Sequence, residues 1–290
     1  MIDRLNMFMV LARTRHFGRA AEELGITQPT LSTAIRALED QLGARLISRG
    51  SRFQDLTPEG ERVLDWARRI VGDARTMQAE LRAGREGLTG RLRLGVIPTA
   101  MPRVATLTAP FLDRHPGAAV SILSRSSDEI RHEIAALELD AGLTYLDSEA
   151  LGRVQVQPLY RESYCLIDGG DRDGKSGPVT WAEAAARPLC LLTPDMQNRR
   201  IVDRHLGDAV TGPRVESNSM LAILSHVAKG DWATVLPRAV AVGMSLPAGV
   251  RARDLPGQGH LIGLVVADKE PQSPIIEALL RIAREIGSID

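Results

Sequence analysis

The chain is poor in cysteine and aromatic residues, has no excess charge of either sign and lacks a long apolar run. Its two cysteines among 290 residues, Cys165 and Cys190, lie singly in apolar stretches, which favours reduced core thiols over a disulfide framework. Lys+Arg and Asp+Glu balance at 36 each, so only a local basic surface could bind a polyanion. Apolar runs such as Leu261–Ala267 are far shorter than the ~20 residues that cross a bilayer. The first such run, Met7–Ala12, is followed by no small-residue cleavage site, so we expect a cytoplasmic protein without membrane contact.

The length and composition indicate two globular domains. At roughly 100–200 residues per domain, the chain is too long for one. Hydrophobic residues make up 44% and charged residues 25%, which is enough apolar material for sizeable cores. The first 87 residues show helical periodicity, whereas short apolar runs alternate with helical periods after Gly90. We expect an N-terminal domain over residues 1–57, a linker helix over 58–87 and an α/β domain over 91–290.

Two helices separated by a tight turn are predicted after a first helix that carries Leu5, Phe8 and Leu11. Gly25 interrupts the apolar pattern, and Thr27 is a suitable N-cap for the next helix. Apolar residues then follow at spacings of four, three and four, which gives that helix one buried stripe: Leu31, Ile35, Leu38 and Leu42. In a helix-turn-helix the second helix lies in the major groove of DNA.

Polar side chains cover the exposed side of this second helix, and each has a known way to contact DNA. Arginine reaches phosphate or guanine, glutamine pairs with adenine, and threonine methyl groups contact thymine. A solvated helix face without a partner is the alternative that composition alone leaves open. The candidate DNA-binding residues are Gln28, Pro29, Thr30, Ser32, Thr33 and Arg36, together with Arg49 and Arg52 at the tip of a hairpin.

A short β-hairpin and a long helix complete the N-terminal part. Arg45–Ile47 and Phe53–Leu56 are predicted strands, and Thr57 caps a helix in which Pro58 occupies the first turn. Apolar residues repeat in this helix at spacings of four, three, four, three and four, the a and d pattern of a coiled coil. A helix that packs only on its own domain is the alternative, but it needs a broader stripe. We expect a helix-to-helix dimer contact through Val63, Ala67, Ile70, Ala74, Met77 and Leu81.

The alternation beyond Gly90 predicts two α/β lobes around mainly parallel sheets. The predicted strands of the first series lie at 92–97, 119–123 and 141–145, and those of the second at 164–167, 189–192 and 232–236, with helices between them. A last buried strand at Leu261–Ala267 precedes a closing helix. We place lobe I at about 91–161 and 265–290, and lobe II at about 162–264.

Several short segments occur in a characteristic order in the N-terminal part: FGRAAEEL at 17–24, TQPTLS at 27–32, IRALE at 35–39, LGARL at 42–46 and LTPEG at 56–60. In this order they closely resemble the LysR-type transcriptional regulators. Residues 217–219 before a helix and 235–237 after a strand are similar to the effector domain of that family, so the resemblance covers nearly the full chain. It implies an α+β multidomain fold with a winged helix-turn-helix, a long dimerising linker helix and a two-lobed domain like the periplasmic solute-binding proteins.

The resemblance also implies the partners of the chain. These are double-stranded promoter DNA, further copies of the chain in a dimer or tetramer, and a small-molecule effector between the lobes. We expect no cofactor. At Gly18 many family members carry Ser or Thr, which predicts a weaker cap on the first helix of the motif.

Hydroxyl and amide side chains lie where predicted strands give way to helices, the usual ligand position in two-lobed α/β domains. Ordinary helix capping is the alternative for each of them. Thr99 occupies a position that resembles a recurrent ligand contact in the family. Such groups favour a small carboxylate or other anion, and residues 143–147 are faintly similar to regulators placed beside formate dehydrogenase operons, which suggests formate. The candidate effector-binding residues are Thr99, Ala100, Ser126, Thr144, Gln197, Asn198, Ser217 and Asn218.

Other function classes fit the sequence less well. A redox sensor that uses Cys165 and Cys190 is known among some relatives, but the apolar runs around both favour inert thiols. A solute-binding protein would not explain the first 87 residues. Residues 169–176 match a P-loop pattern, yet Asp171 and Asp173 would repel phosphate and Pro178 opposes the required helix. The histidines lack metal-ligand spacing and no nucleophile and base pair up, so we expect neither a metal site nor catalysis.

Overall fold

A computed structural model describes residues 1–48, 55–147, 151–169, 177–207 and 214–287 of the chain. The chain divides into two compact units, Met1–Arg85 and Glu86–Asp290. The predicted hairpin tip with Arg49 and Arg52, and most of the P-loop pattern, lie outside the described residues. None of the helices in the described residues combines the length with the hydrophobicity that a membrane-spanning segment requires.

The N-terminal unit is helical, and its core forms from the apolar stripes that the sequence shows. Phe8, Leu11, Leu31 and Leu38 are fully buried in one cluster. The helices are α1 (Ile2–Thr14), α2 (Phe17–Glu23), α3 (Gln28–Leu42) and α4 (Pro58–Glu86).

Side chains cap three of these helices. The hydroxyl oxygen of Thr27 accepts a hydrogen bond from the amide of Thr30 at 3.4 Å, and Thr57 does the same for Gly60 at 2.9 Å, which confirms both predicted caps. The cap of α2 is His16, whose Nδ1 accepts from the amide of Arg19 at 3.2 Å. The prediction of a weak cap at Gly18 is therefore wrong, because that residue lies inside the first turn of α2.

The C-terminal unit contains two five-stranded sheets. The strands are β1 (Gly90–Val96), β2 (Ala118–Ser124), β3 (Ala141–Tyr145), β4 (Val154–Glu162), β5 (Tyr164–Gly169), β6 (Leu189–Leu192), β7 (Arg214–Ser217), β8 (Ala233–Pro237), β9 (Val250–Asp254) and β10 (His260–Ala267). The first sheet has the order β2-β1-β3-β10-β4 and the second the order β7-β6-β8-β5-β9. Both sheets are mixed rather than mainly parallel, because β10 in the first and β5 in the second run antiparallel to both of their neighbours.

Helices connect the strands and cover the sheets. A 3-10 helix, Pro98–Arg103, follows β1 directly. The α-helices are α5 (Val104–Arg114), α6 (Ser127–Ala135), α7 (Trp181–Ala185), α8 (Gln197–Leu206), α9 (Met220–Lys229), α10 (Arg238–Gly243) and α11 (Pro274–Gly287). Leu94, Phe111, Leu143 and Leu279 are fully buried or nearly so in the core around the first sheet.

The chain passes between the sheets twice. It leaves the first sheet after Glu162 and enters the second at Tyr164, with Ser163 alone between them. It returns at His260, which pairs with Glu162, about five residues earlier than the position near 265 that the sequence suggests. Both crossings therefore meet at one place beside the ends of β4 and β10.

Candidate functional site

Helix α3 presents a polar face to solvent. Leu31, Ile35 and Leu38 pack inward, whereas Leu42, the last residue of the predicted buried stripe, is 41% exposed. Five of the six predicted contact residues on α3 are exposed, and Ser32 is half-buried. The exposed five are Gln28, Pro29, Thr30, Thr33 and Arg36.

The base of the predicted hairpin follows α3 and is held against it. Ile47 and Leu56 form an antiparallel β-bridge. The buried carboxylate of Glu39 accepts hydrogen bonds from the amide of Leu46 and from the guanidinium of Arg45, both at 2.8 Å. A residue of α3 thus fixes where the hairpin begins. This role of Glu39 is not predictable from the sequence, because an acidic residue in a helix normally faces solvent.

A glycine allows α4 to begin close to the same segment. A Cβ atom at Gly60 would lie 2.2 Å from the carbonyl oxygen of Leu46, a distance that a side chain cannot adopt without displacing the backbone. The hairpin base, α3 and the start of α4 are thereby packed as one assembly.

Helix α4 carries one buried and one exposed apolar side. Leu64, Ala67 and Val71 pack into the core of their own unit. Ala67 is fully buried and cannot line a contact with another chain, so its predicted dimer role is wrong. Val63 also packs partly on that core, and Ala74 is half-buried. Ile70, Met77 and Leu81 are exposed by 36%, 56% and 67%, and Trp66 joins them at 61%.

A cleft of about 760 Å³ opens in the C-terminal unit where strands of both sheets end. Its walls come from the segments after β1, β2 and β7, from the start of α8 and from the end of α10. The position agrees with the rule that ligands bind at the carboxyl ends of strands in α/β folds. The lining residues are Pro98, Met101, Pro102, Ser124, Arg125, Glu129, Asp195, Met196, Asn218, Ser219, Met220 and Met244.

The predicted effector-binding residues divide into two groups. Asn218 lines the cleft, and Ser217 at the end of β7 is half-buried. The other six are 5% exposed or less and do not line the cleft. They are Thr99, Ala100, Ser126, Thr144, Gln197 and Asn198.

Most of these six have structural hydrogen bonds. The Ser126 hydroxyl caps α6 by accepting from the amide of Glu129, and the hydroxyl of Thr144 donates to that of Ser127 at 2.9 Å. Helix capping, the alternative considered from sequence, accounts for Ser126.

A buried chain of polar side chains joins the two sheets at the place where the chain crosses. The hydroxyl of Tyr145 donates to Glu162 at 2.7 Å and lies 3.3 Å from the hydroxyl of Tyr164. Thr99 contacts Tyr145 on one side at 3.4 Å, and Asn198 donates to Tyr164 on the other at 3.4 Å. Two predicted effector residues are therefore the ends of one network, whose three central members the sequence analysis missed.

Burial controls the protonation of this network. Burial raises the pKa of Glu162 to about 8, although the hydrogen bond from Tyr145 partly opposes the shift. Burial likewise raises the pKa of Tyr145 and of Tyr164 far above the usual value. At neutral pH the network is therefore mostly uncharged.

Replacement of Tyr145 by Phe should destabilise the C-terminal unit by about 1–3 kcal/mol, because it leaves the buried carboxyl of Glu162 without its donor. Tyr160→Phe is the matched control, since the buried hydroxyl of Tyr160 has no hydrogen-bond partner among the described residues. Urea unfolding of both full-length variants measures the difference. Equal losses of stability would contradict the network.

The two cysteines lie in the second sheet and are fully buried. Cys165 is in β5 and Cys190 in β6, with β8 between them, so two strand spacings alone put their backbones more than about 9 Å apart. A disulfide needs Cα atoms within about 7 Å. Burial raises the pKa of Cys165 to about 12 and that of Cys190 to about 11, which leaves little thiolate at neutral pH. In the parts of the chain that the structure describes, no group of His, Cys, Asp and Glu could hold a metal ion.

Two family models together match most of the chain. The model described as "Bacterial regulatory helix-turn-helix protein, lysR family" matches residues 2–61, and "LysR substrate binding domain" matches residues 85–287. IlvR of Caulobacter vibrioides is 30% identical, and the match covers 99% of this chain and 98% of IlvR. A probable hydrogen peroxide-inducible genes activator of Mycobacterium xenopi is 37% identical over 56% of this chain and 86% of its own length.

Solved structures show the same architecture. A full-length OxyR variant from Pseudomonas aeruginosa superposes with a TM-score of 0.77 at 26% identity, covering 98% of this chain and 94% of OxyR. CbnR in complex with its target DNA gives a TM-score of 0.63 at 23% identity and covers 99% of both chains, which shows a shared fold. The two family models and the full-length match to IlvR place the protein in the LysR family of transcriptional regulators.

Proposed function

We propose that this regulator binds promoter DNA through α3 and the adjoining hairpin, self-associates through α4, and responds to a small molecule in the cleft of its C-terminal unit. One observation carries the DNA-binding part. Gln28, Thr33 and Arg36 are exposed on the helix that follows a capped tight turn, while the opposite side of that helix is buried. This is the arrangement that lets a second helix enter the major groove. Arg49 and Arg52, which lie outside the described residues, are proposed to contact phosphate.

Self-association is supported by the exposed side of α4. At 100° per residue, Trp66, Ile70, Met77 and Leu81 fall within about 60° of one another around the helix axis. Large apolar side chains in such a narrow stripe suit a partner helix, because water otherwise covers them. A dimer would present two copies of α3 to a two-fold symmetric operator.

The regulatory step is a population shift. The two sheets form opposite walls of the cleft, so a ligand that contacts both walls has a different affinity for each degree of closure. The ligand can shift the distribution only through that difference in affinity. Closure in turn is proposed to alter how the assembled protein contacts its promoter.

Thiol sensing is not proposed, although the Mycobacterium xenopi relative is named as a probable activator of hydrogen peroxide-inducible genes. Both thiols are buried, protonated at neutral pH and separated by a strand. The reactive cysteines of redox sensors have low pKa values and partial exposure. A solute-binding protein is not proposed either, because the helix-turn-helix family model matches residues 2–61.

Arg36→Ala should weaken binding to the DNA upstream of the protein's own coding sequence by about tenfold to a hundredfold, as loss of a base or phosphate contact does. Fluorescence anisotropy at several salt concentrations measures both the affinity and the salt slope. Arg62→Ala is the control, because it removes the same charge from an exposed position on α4. If the two variants bind DNA equally well, α3 is not the recognition helix.

A further inference from the structure

The cleft has an unusual concentration of methionine. Four of the eight methionines of the chain line it, and they are all the methionines beyond residue 85: Met101, Met196, Met220 and Met244. They come from both walls, since Met101 follows β1 and the other three belong to the segments around α8, α9 and α10. Thioether side chains are flexible and polarizable, and they make favourable contacts with aromatic rings.

The charged groups on the cleft walls do not favour an anion. Arg125 is the single cationic residue that the described lining contains, and its Nε donates to Glu133 at 2.6 Å while a terminal nitrogen donates to the carbonyl of Ser124. Glu129, whose Oε2 accepts a hydrogen bond from the amide of Ser126 at 2.7 Å, and Asp195 also line the cleft. The carboxylate of Asp195 is exposed, and it has no hydrogen bond or ion pair within the described part of the chain.

The N-terminus of α8 does not provide an anion site in place of cationic side chains. Met196 lines the cleft, but the first three residues of the helix, Gln197, Asn198 and Arg199, are only 3–4% exposed. These three residues are therefore buried and do not line the cleft. The lining differs in this respect from the anion site that the sequence predicts.

We infer that the cleft takes a planar, largely apolar molecule that carries an amine, with the ring between the methionines and the ammonium group beside Asp195 and Glu129. This inference rests on the proposed sensor role of the cleft and specifies its ligand class. A cleft of about 760 Å³ suits a drug-sized ligand and is far larger than formate requires. Asn218 and Ser219 offer further hydrogen-bonding groups on the second wall.

Three compounds that share an indole ring test the class: tryptamine, 3-methylindole and indole-3-acetate. Isothermal titration calorimetry with the full chain should give the tightest binding for tryptamine, at about tenfold over indole-3-acetate, because the latter replaces attraction to the two carboxylates by repulsion. Asp195→Asn should reduce that ratio severalfold. Stronger binding of indole-3-acetate, or no binding of any of the three, would overturn the ligand class.

A matched pair of lysine substitutions locates the binding. Met244→Lys brings a cation to the cleft and should weaken tryptamine while strengthening indole-3-acetate. Val242→Lys adds the same charge two residues away at a position that is 74% exposed and outside the lining, so it should change neither affinity by more than about twofold. If Met244→Lys alters binding but the unmodified chain prefers indole-3-acetate, the inferred ligand class is wrong, whereas the cleft is still the ligand site. If both variants bind all three compounds like the unmodified chain, the ligand site lies elsewhere, and the proposed sensor role fails as well.

Discussion

Ile70→Asp should convert the assembled regulator to monomers and thereby abolish most of its affinity for promoter DNA. Ile70 lies at the centre of the exposed apolar stripe on α4, between Trp66 and Met77. In a symmetric helix pair the substitution buries two carboxylates without partners, and each costs several kcal/mol unless it takes up a proton or the helices separate. We expect the dissociation constant of the dimer to rise at least about a hundredfold, which analytical ultracentrifugation measures.

The control for this variant is Ala79→Asp. Position 79 lies about 180° from position 70 around the helix axis, so the same charge then faces away from the stripe. The control should sediment and bind DNA like the unmodified protein. Unchanged assembly of Ile70→Asp together with full DNA affinity would show that the stripe is not the contact between chains.

Glu162→Gln should remove a pH dependence of stability that the unmodified protein shows between about pH 5 and pH 8. Burial raises the pKa of Glu162 to about 8 in the folded state, whereas the unfolded chain loses the proton near the model-peptide value of about 4.3. Between these values the folded state holds a proton that the unfolded state has released. Stability is therefore fully present below pH 4 and falls as the pH rises, by up to about 1.4 kcal/mol per pH unit.

Glutamine keeps an acceptor for Tyr145 but cannot ionise, so the variant should be the more stable protein at pH 8 and lose this slope. Urea unfolding followed by circular dichroism at pH 5, 6.5 and 8 measures both effects. Glu285→Gln is the control, because Glu285 is half-exposed and its pKa is lowered by the guanidinium of Arg114. A depressed pKa contributes stability that is lost only toward acidic pH, below this window. An unaltered slope in Glu162→Gln would show that this carboxyl is ionised in the folded protein.

The strands that the sequence analysis missed lie at the edges of the sheets. Strand β4 borders the first sheet, and β7 and β9 border the second. Their side chains alternate between polar and apolar or are largely polar, as in the VQVQP run of β4, and Pro158 lies where the pairing of β4 with β10 is shifted. The interior strands β3, β6 and β8 form nearly continuous apolar runs, which is why they were predictable.

Only those features of the candidate site that depend on residues close together in the sequence were predictable. The caps at Thr27 and Thr57 and the polar face of α3 depend on neighbouring residues, and these predictions hold. The network through Tyr145, Glu162 and Tyr164 depends on strands that meet only in the folded chain. Hydroxyl residues at strand ends were consequently assigned to a ligand, although most of them bond to the protein itself.

The one-residue link at Ser163 limits how the two sheets can move. Successive Cα atoms are 3.8 Å apart, so Ser163 allows almost no sliding of one sheet along the other and leaves rotation as the available degree of freedom. In a rotation, displacement grows with distance from the axis. Tyr164, next to the link, moves least, whereas Asn218 follows β7, three strand spacings or about 14 Å away across the second sheet. A rotation about this link therefore displaces the mouth of the cleft much more than the buried network, which lies next to the rotation axis.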